Sequence, residues 1–133
     1  METSALLAWL LNQNGGDDVR SRSGSARHIV TSSLTLAETE RALVRAEVGQ
    51  ALRAAEVQKL LGHLHRLSSK WTEMQVTPDV LSRAGQRFPV EPVRTLDAIH
   101  LATALIFSRA IEDLQVLSLD RRIRDNAVAL GLD

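Results

Sequence analysis

The spacing of hydrophobic positions changes several times along the chain, and each change marks an element. The apolar run in "ALLAWLL", with Thr3 or Ser4 as a capping residue ahead of it, predicts a short helix over residues 3–11. "NQNGGDDVRSRSGSAR" is rich in Gly, Ser, Asn and Asp and reads as a loop with at most one weak helical turn. The β-branched residues of "HIVTSSLT" predict a strand ending in polar positions, with His28 at its start. From Leu36 the period is helical: "LAETERALVRAEVG" places Leu36, Leu43 and Val44 on one side, with Gly49 as a stop. In "ALRAAEVQKLLGHLHRLSSK", Val57, Leu60, Leu61, Leu64 and Leu67 recur at three- and four-residue steps, an apolar stripe that predicts a helix packed into the core. These two helices are expected to form a hairpin.

The second half alternates. "WTEMQV" reads as a short strand, and Thr77 caps a helix whose first residue is Pro78. Phe88-Pro89 and Glu91-Pro92 interrupt the chain. "TLDAIHLATALIFSRA" is the clearest helix, with Leu96, Ile99, Ala102, Thr103 and Ile106 on its inner face. "LQVLSLD" predicts an apolar strand and "RRIRDNAVALGL" a closing helix. Strands alternating with helices after a helical first half argue for one α/β domain over residues 1–133, built on a small parallel sheet flanked by helices.

Composition narrows the chemistry. Aromatic residues make up only 3%, so Leu, Val, Ile and Ala must build the core, with Trp9 and Trp71 as anchors. Cysteine is absent, which removes disulfides, thiolate metal sites and thiol nucleophiles, and fits a cytoplasmic location. No apolar run approaches the roughly 18–20 residues that span a bilayer, so no membrane contact is expected. The apolar start has no basic segment before it and does not read as a signal peptide. Sixteen basic and sixteen acidic side chains cancel, which argues against a general nucleic-acid coat.

The acids carry the functional signal. Glu2 precedes the first helix, Glu38 follows the first strand, Asp97 opens the clearest helix, and Asp120 ends the last strand. In an open parallel sheet, strand C-termini and the following helix N-termini lie along one edge, so these residues would share a crevice. Any one of them is explained by the helix dipole, which favours an acid there by about 0.3–1 kcal/mol. Four on separate elements would repel one another, and a divalent cation is the natural counter-ion. Oxygen-only donors without cysteine point to Mg²⁺ or Mn²⁺.

"ETSALLAWL", "SSLTLAETERAL", "RTLDAIHLATAL" and "LSLDRRIRDNAVALGL" resemble, in order and over nearly the whole chain, the four signature segments of PIN-domain proteins, in particular the VapC-type toxins. The resemblance implies a PIN-like α/β fold and a metal-dependent endoribonuclease that hydrolyses RNA. It also implies inhibition by a small VapB-type antitoxin and a homodimer. Carried over by position, Glu38, Asp97 and Asp120 match the second, third and fourth acids of the family; Ser4 and Ser118 match supporting hydroxyl residues. Glu2 stands where the family has Asp and is one methylene longer, a departure that bears on activity because Mg²⁺ is strict about geometry. Family members carry a central strand ahead of the first acid and another after the last helix; here only Met1 precedes Glu2, so the sheet is expected to be shortened at both ends.

Setting the four acids aside leaves twelve against sixteen bases, an excess of about four positive charges elsewhere. Arg41 and Arg45, four apart near Glu38, and Arg121, Arg122 and Arg124, just after Asp120, are the candidates for holding RNA phosphates. The plainer account is solvated helix surface or i,i+3 pairing. His100, one turn after Asp97, is expected beside the acids in a supporting role; His63 and His65 read as surface residues without a carboxylate partner. Two other readings stand beside the ribonuclease: a degenerate PIN domain that binds without turnover, and a structure-specific DNA nuclease using the same carboxylates.

Overall fold

The computed structural model describes residues 1–132; the last residue of the expected domain, Asp133, lies outside them. Helix α1 (Thr3–Leu10) is capped by Glu2, whose carboxylate accepts the Ser4 amide, so the cap lies one residue ahead of the predicted Thr3 or Ser4. Leu6 and Leu10 join Leu64 in one core cluster, with Leu60, Leu67 and Trp71 packed against it. Trp9 and Trp71 sit with ring centroids 6.1 Å apart, pinning the start of the chain to its middle.

The segment predicted as a loop is a helix, α2 (Gly16–Ser25). Its composition is poor in helix formers, and packing overrides propensity. Val19 and Ser23, four apart, are buried, Asp17 and Asp18 occupy the positive end, and Arg22 the negative end. Gly16 permits the approach to α1: a Cβ there would lie 2.3 Å from the Ala8 carbonyl oxygen.

Strand β1 is only Val30–Ser32, and helix α3 (Ser33–Val48) begins three residues before the predicted Leu36. Ser32 caps it by accepting the Leu34 amide at 3.2 Å, so hydroxyl residues that read as strand form the cap and first turn. Two consequences follow: Glu38 stands in the second turn of α3, and His28 is exposed ahead of the strand. Helix α4 (Ala54–Ser68) packs on α3 with Val57 and Leu64 buried, as the leucine stripe predicts. Strand β2 (Thr72–Met74) pairs parallel with β1, Val30 opposite Thr72 and Ser32 opposite Met74.

Helix α5 (Pro78–Ala84) is capped by Thr77 as expected. It packs on α6 (Thr95–Ser108), and with α7 (Arg121–Ala129) these build a second core of Val80, Phe88, Ala98, Leu101, Ala102 and Ile123. Leu96, predicted to face inward, is exposed: it is the second residue of α6, and the core that the helix builds starts at Ala98.

"LQVLSLD" is not a strand. Among the described residues its backbone has single bonds at two points, the Glu2 amide donating to Leu117 and the Val116 amide to Leu132, too few for a ladder. A cavity of about 860 Å³ is lined by both β1 and residues 114–117, and the two segments do not pair. Among the described residues the sheet therefore has two strands, and no helix is long and apolar enough to cross a membrane.

Candidate active site at the helix N-termini

Glu2 is buried at the start of α1. Its Oε1 accepts the Ser4 amide at 3.1 Å, and its Oε2 accepts the hydroxyls of Ser4 at 2.6 Å and Ser118 at 2.7 Å. Ser4 is the hub of this corner. Its one proton goes to Glu2, and its oxygen accepts the amides of Leu119 at 2.8 Å and Asp120 at 3.1 Å. The first helix is thereby tied to the approach of α7, more than a hundred residues away, through one hydroxyl. The Asp120 amide also donates to Ser118 Oγ at 3.1 Å.

Glu38 has a different shell. Thr3 Oγ1 donates to its Oε2 at 2.8 Å, and His100 Nε2 lies 2.6 Å from the same oxygen. Burial pushes this carboxyl up, but the hydrogen bonds from His100 and Thr3, with the charges of His100 and Arg45, outweigh it and hold the group below its ordinary 4.5. A carboxyl depressed in the folded state contributes stability that is complete above the unfolded value and is lost as pH falls through the folded one. The parent is therefore expected to lose stability more steeply below about pH 4.5 than a Glu38→Gln variant. Urea denaturation of both at pH 6 and pH 3.5 checks this; equal losses would contradict it.

Asp97 and Asp120 meet through Arg122. Asp120 caps α7 by accepting the Arg122 amide on Oδ1 at 2.8 Å, and its Oδ2 lies 3.4 Å from an Arg122 terminal nitrogen. The Arg122 Nε lies 3.4 Å from Asp97 Oδ2, which comes from the first turn of α6. The Asp97 side chain is 16% exposed, and its Oδ2 and the Arg122 Nε are buried atoms without a hydrogen-bond partner.

The acids thus gather at the N-termini of α1, α6 and α7 and the second turn of α3, linked through Ser4, Thr3, His100 and Arg122. Each has its own partners, and among the described residues no three of them form a group arranged to hold a metal ion. The donor chemistry still suits a hard divalent cation: all the carboxylate oxygens are hard donors, and Asp97 Oδ2 is a buried oxygen that no donor satisfies.

The expected phosphate-holding arginines divide. Arg41, Arg45, Arg121 and Arg124 are exposed, Arg121 with Asp125 at 3.4 Å. Arg122 instead turns onto the two aspartates. His65, expected to lack a carboxylate partner, lies 3.1 Å from Glu40, because packing of α4 on α3 brings the two surfaces together. Thr3, expected only as a capping residue, also belongs to the site, and its only cue in the sequence is its place between Glu2 and Ser4. The spacing of His100 one turn after Asp97 did signal a supporting place, and the structure gives it a partner in Glu38.

The PIN domain family model matches residues 1–129 of this chain. The chain belongs to the PIN-domain family. Ribonuclease VapC46 of Mycobacterium tuberculosis (strain ATCC 25618 / H37Rv) is 35% identical over 133 residues, covering 99% of this chain and 92% of the relative. The chain is therefore a VapC-type PIN protein, and its seven helices around a short parallel pair of strands, among the described residues, fit the PIN fold.

Proposed function

We propose that this PIN-domain chain is a metal-dependent endoribonuclease of the VapC type. It hydrolyses RNA phosphodiester bonds at Glu2, Glu38, Asp97 and Asp120 and serves as the toxin of a cytoplasmic toxin–antitoxin pair. One observation carries the reading: carboxylates from four separate helices gather at one corner, and a buried oxygen of Asp97 there has no hydrogen-bond donor. The likeness to a ribonuclease supports the choice of RNA.

Asp97, Asp120, Glu38 and Glu2 are the residues that would hold Mg²⁺ or Mn²⁺, which when bound supplies an activated water and neutralises charge on the phosphodiester. The rest is done by the chain. Ser4 and Ser118 hold Glu2 and the approach to α7 in place, so Asp120 cannot drift from the first helix. Thr3 and His100 fix Glu38 through one oxygen, Oε2, and restrict the carboxylate's rotation. Exposed Arg41, Arg45, Arg121 and Arg124 offer charge to RNA phosphates around the acids. No side-chain nucleophile is required. The inhibitor is a VapB-type antitoxin, and the active form is a homodimer.

A second reading, a binding module without turnover, is favoured by one observation. Both oxygens of Glu2 already accept hydrogen bonds from Ser4 and Ser118. Incubation with single-stranded RNA and with DNA of the same sequence, in Mg²⁺ or Mn²⁺, separates the readings. The expected result is cleavage of RNA that EDTA abolishes and an Asp97→Asn variant lacks. Binding without cleavage would favour the module, and preferential cleavage of DNA would replace RNA as the substrate.

A further inference from the structure

We propose that Arg122 is an internal counter-cation that competes with a divalent ion for Asp97 and Asp120. The inference rests on the metal-dependent reading above and adds a residue that works against metal binding in the resting protein. One guanidinium lies 3.4 Å from a carboxylate oxygen of each aspartate, and so joins α6 to α7. Arginine suits the task because its planar fork presents donors in more than one direction.

Three features make the contact replaceable. Charge-assisted hydrogen bonds of this kind close to about 2.7–2.9 Å when geometry is good. Here both distances are 3.4 Å, and neither Asp97 Oδ2 nor Arg122 Nε reaches hydrogen-bond geometry, although both are buried. The main chain of Arg122 is anchored separately, its amide donating to Asp120 Oδ1 at 2.8 Å, so the side chain can leave while α7 stays in place. That side chain is 40% exposed, which gives it a path to solvent.

Charge sets the direction of the exchange. Two carboxylates carry two negative charges, the guanidinium returns one, and a divalent ion returns both. Glu2 and Glu38 have donors of their own from Ser4, Ser118, Thr3 and His100, whereas for the Asp97 side chain the cationic contact is Arg122. Once displaced, the guanidinium joins exposed Arg121 and Arg124 on the same helix, where it is free to hold a phosphate. Metal arrival and phosphate capture are then linked in one side chain.

Calorimetric titration of the full chain with Mn²⁺ tests this without any nuclease assay. Arg122→Gln removes the charge and keeps a helix-forming residue; Arg122→Lys keeps the charge and loses the fork. The Gln variant is expected to bind Mn²⁺ on the order of tenfold more tightly than the parent, with the Lys variant between them. It is also expected to melt at a lower temperature without metal and to gain more from added Mn²⁺. Equal or weaker binding by Arg122→Gln overturns the inference and leaves the metal reading standing. No binding by either protein overturns both. If the Gln variant does not fold, the Lys variant decides by the same comparison with the parent.

Discussion

An Asp97→Asn variant is expected to lose RNA cleavage by more than about 100-fold while keeping its fold. Asn preserves the shape of the side chain and removes only its charge. Asp97 lies in the first turn of α6 and is largely buried, and one of its oxygens has no hydrogen-bond donor and only the long contact with Arg122, which leaves it available to a metal ion. Groups that merely orient metal ligands are worth about 10–100-fold, and a ligand should cost more. Stability should change little: the lost contact with Arg122 is long, at 3.4 Å, and the guanidinium keeps Asp120 as its partner. Gel analysis of cleavage at matched protein concentration, with a thermal melt of each protein, reads both quantities. A variant that cleaves within tenfold of the parent would remove Asp97 from the reaction.

Ser4→Ala is expected to damage stability and activity together. Its hydroxyl accepts two backbone amides, from Leu119 and Asp120, and donates to Glu2. Asp120 keeps Ser118 as an acceptor, and Glu2 Oε2 keeps Ser118 as a donor, but the side-chain acceptor of the Leu119 amide is gone. A donor left unsatisfied in a partly buried place costs about 1–3 kcal/mol. The same loss loosens Asp120 relative to α1, and cleavage is expected to fall by about 10–100-fold, the effect typical of a supporting residue. Denaturant melts and cleavage rates give the two readouts. An alanine variant with unchanged stability would show that the hub does not hold the corner together.

Much of this arrangement was legible in the chain because local chemistry and tertiary packing agree. The α4 stripe, the Thr77–Pro78 start and the α6 helix rest on periodicity and capping that neighbours do not override. Misreadings occur where the surroundings decide. Helix α2 exists because Val19 and Ser23 bury beneath a composition that looks like loop, with Gly16 allowing contact with α1. The polar tail of "HIVTSSLT" serves α3 as cap and first turn, since hydroxyl side chains suit either role. "LQVLSLD" is apolar enough for a strand, but pairing is a property of neighbours, and among the described residues it has a backbone bond at two points.

The acids were visible as residues beside predicted strand ends and helix starts; their partners were not. Glu38 and His100 are 62 positions apart and meet at 2.6 Å, and no spacing in the sequence encodes that distance. The inward turn of Arg122 was hidden for the same reason, since "DRRIR" offers several arginines and only the fold selects the one that reaches Asp97.

The most direct test of the account is a crystal of the chain grown with Mn²⁺ and measured for anomalous scattering. The expected result is a peak within oxygen-ligand distance of Asp97 and Asp120, with the Arg122 guanidinium moved off both carboxylates. Well-ordered crystals with no peak at that corner, or with the ion bound elsewhere and the arginine still between the two aspartates, would contradict it.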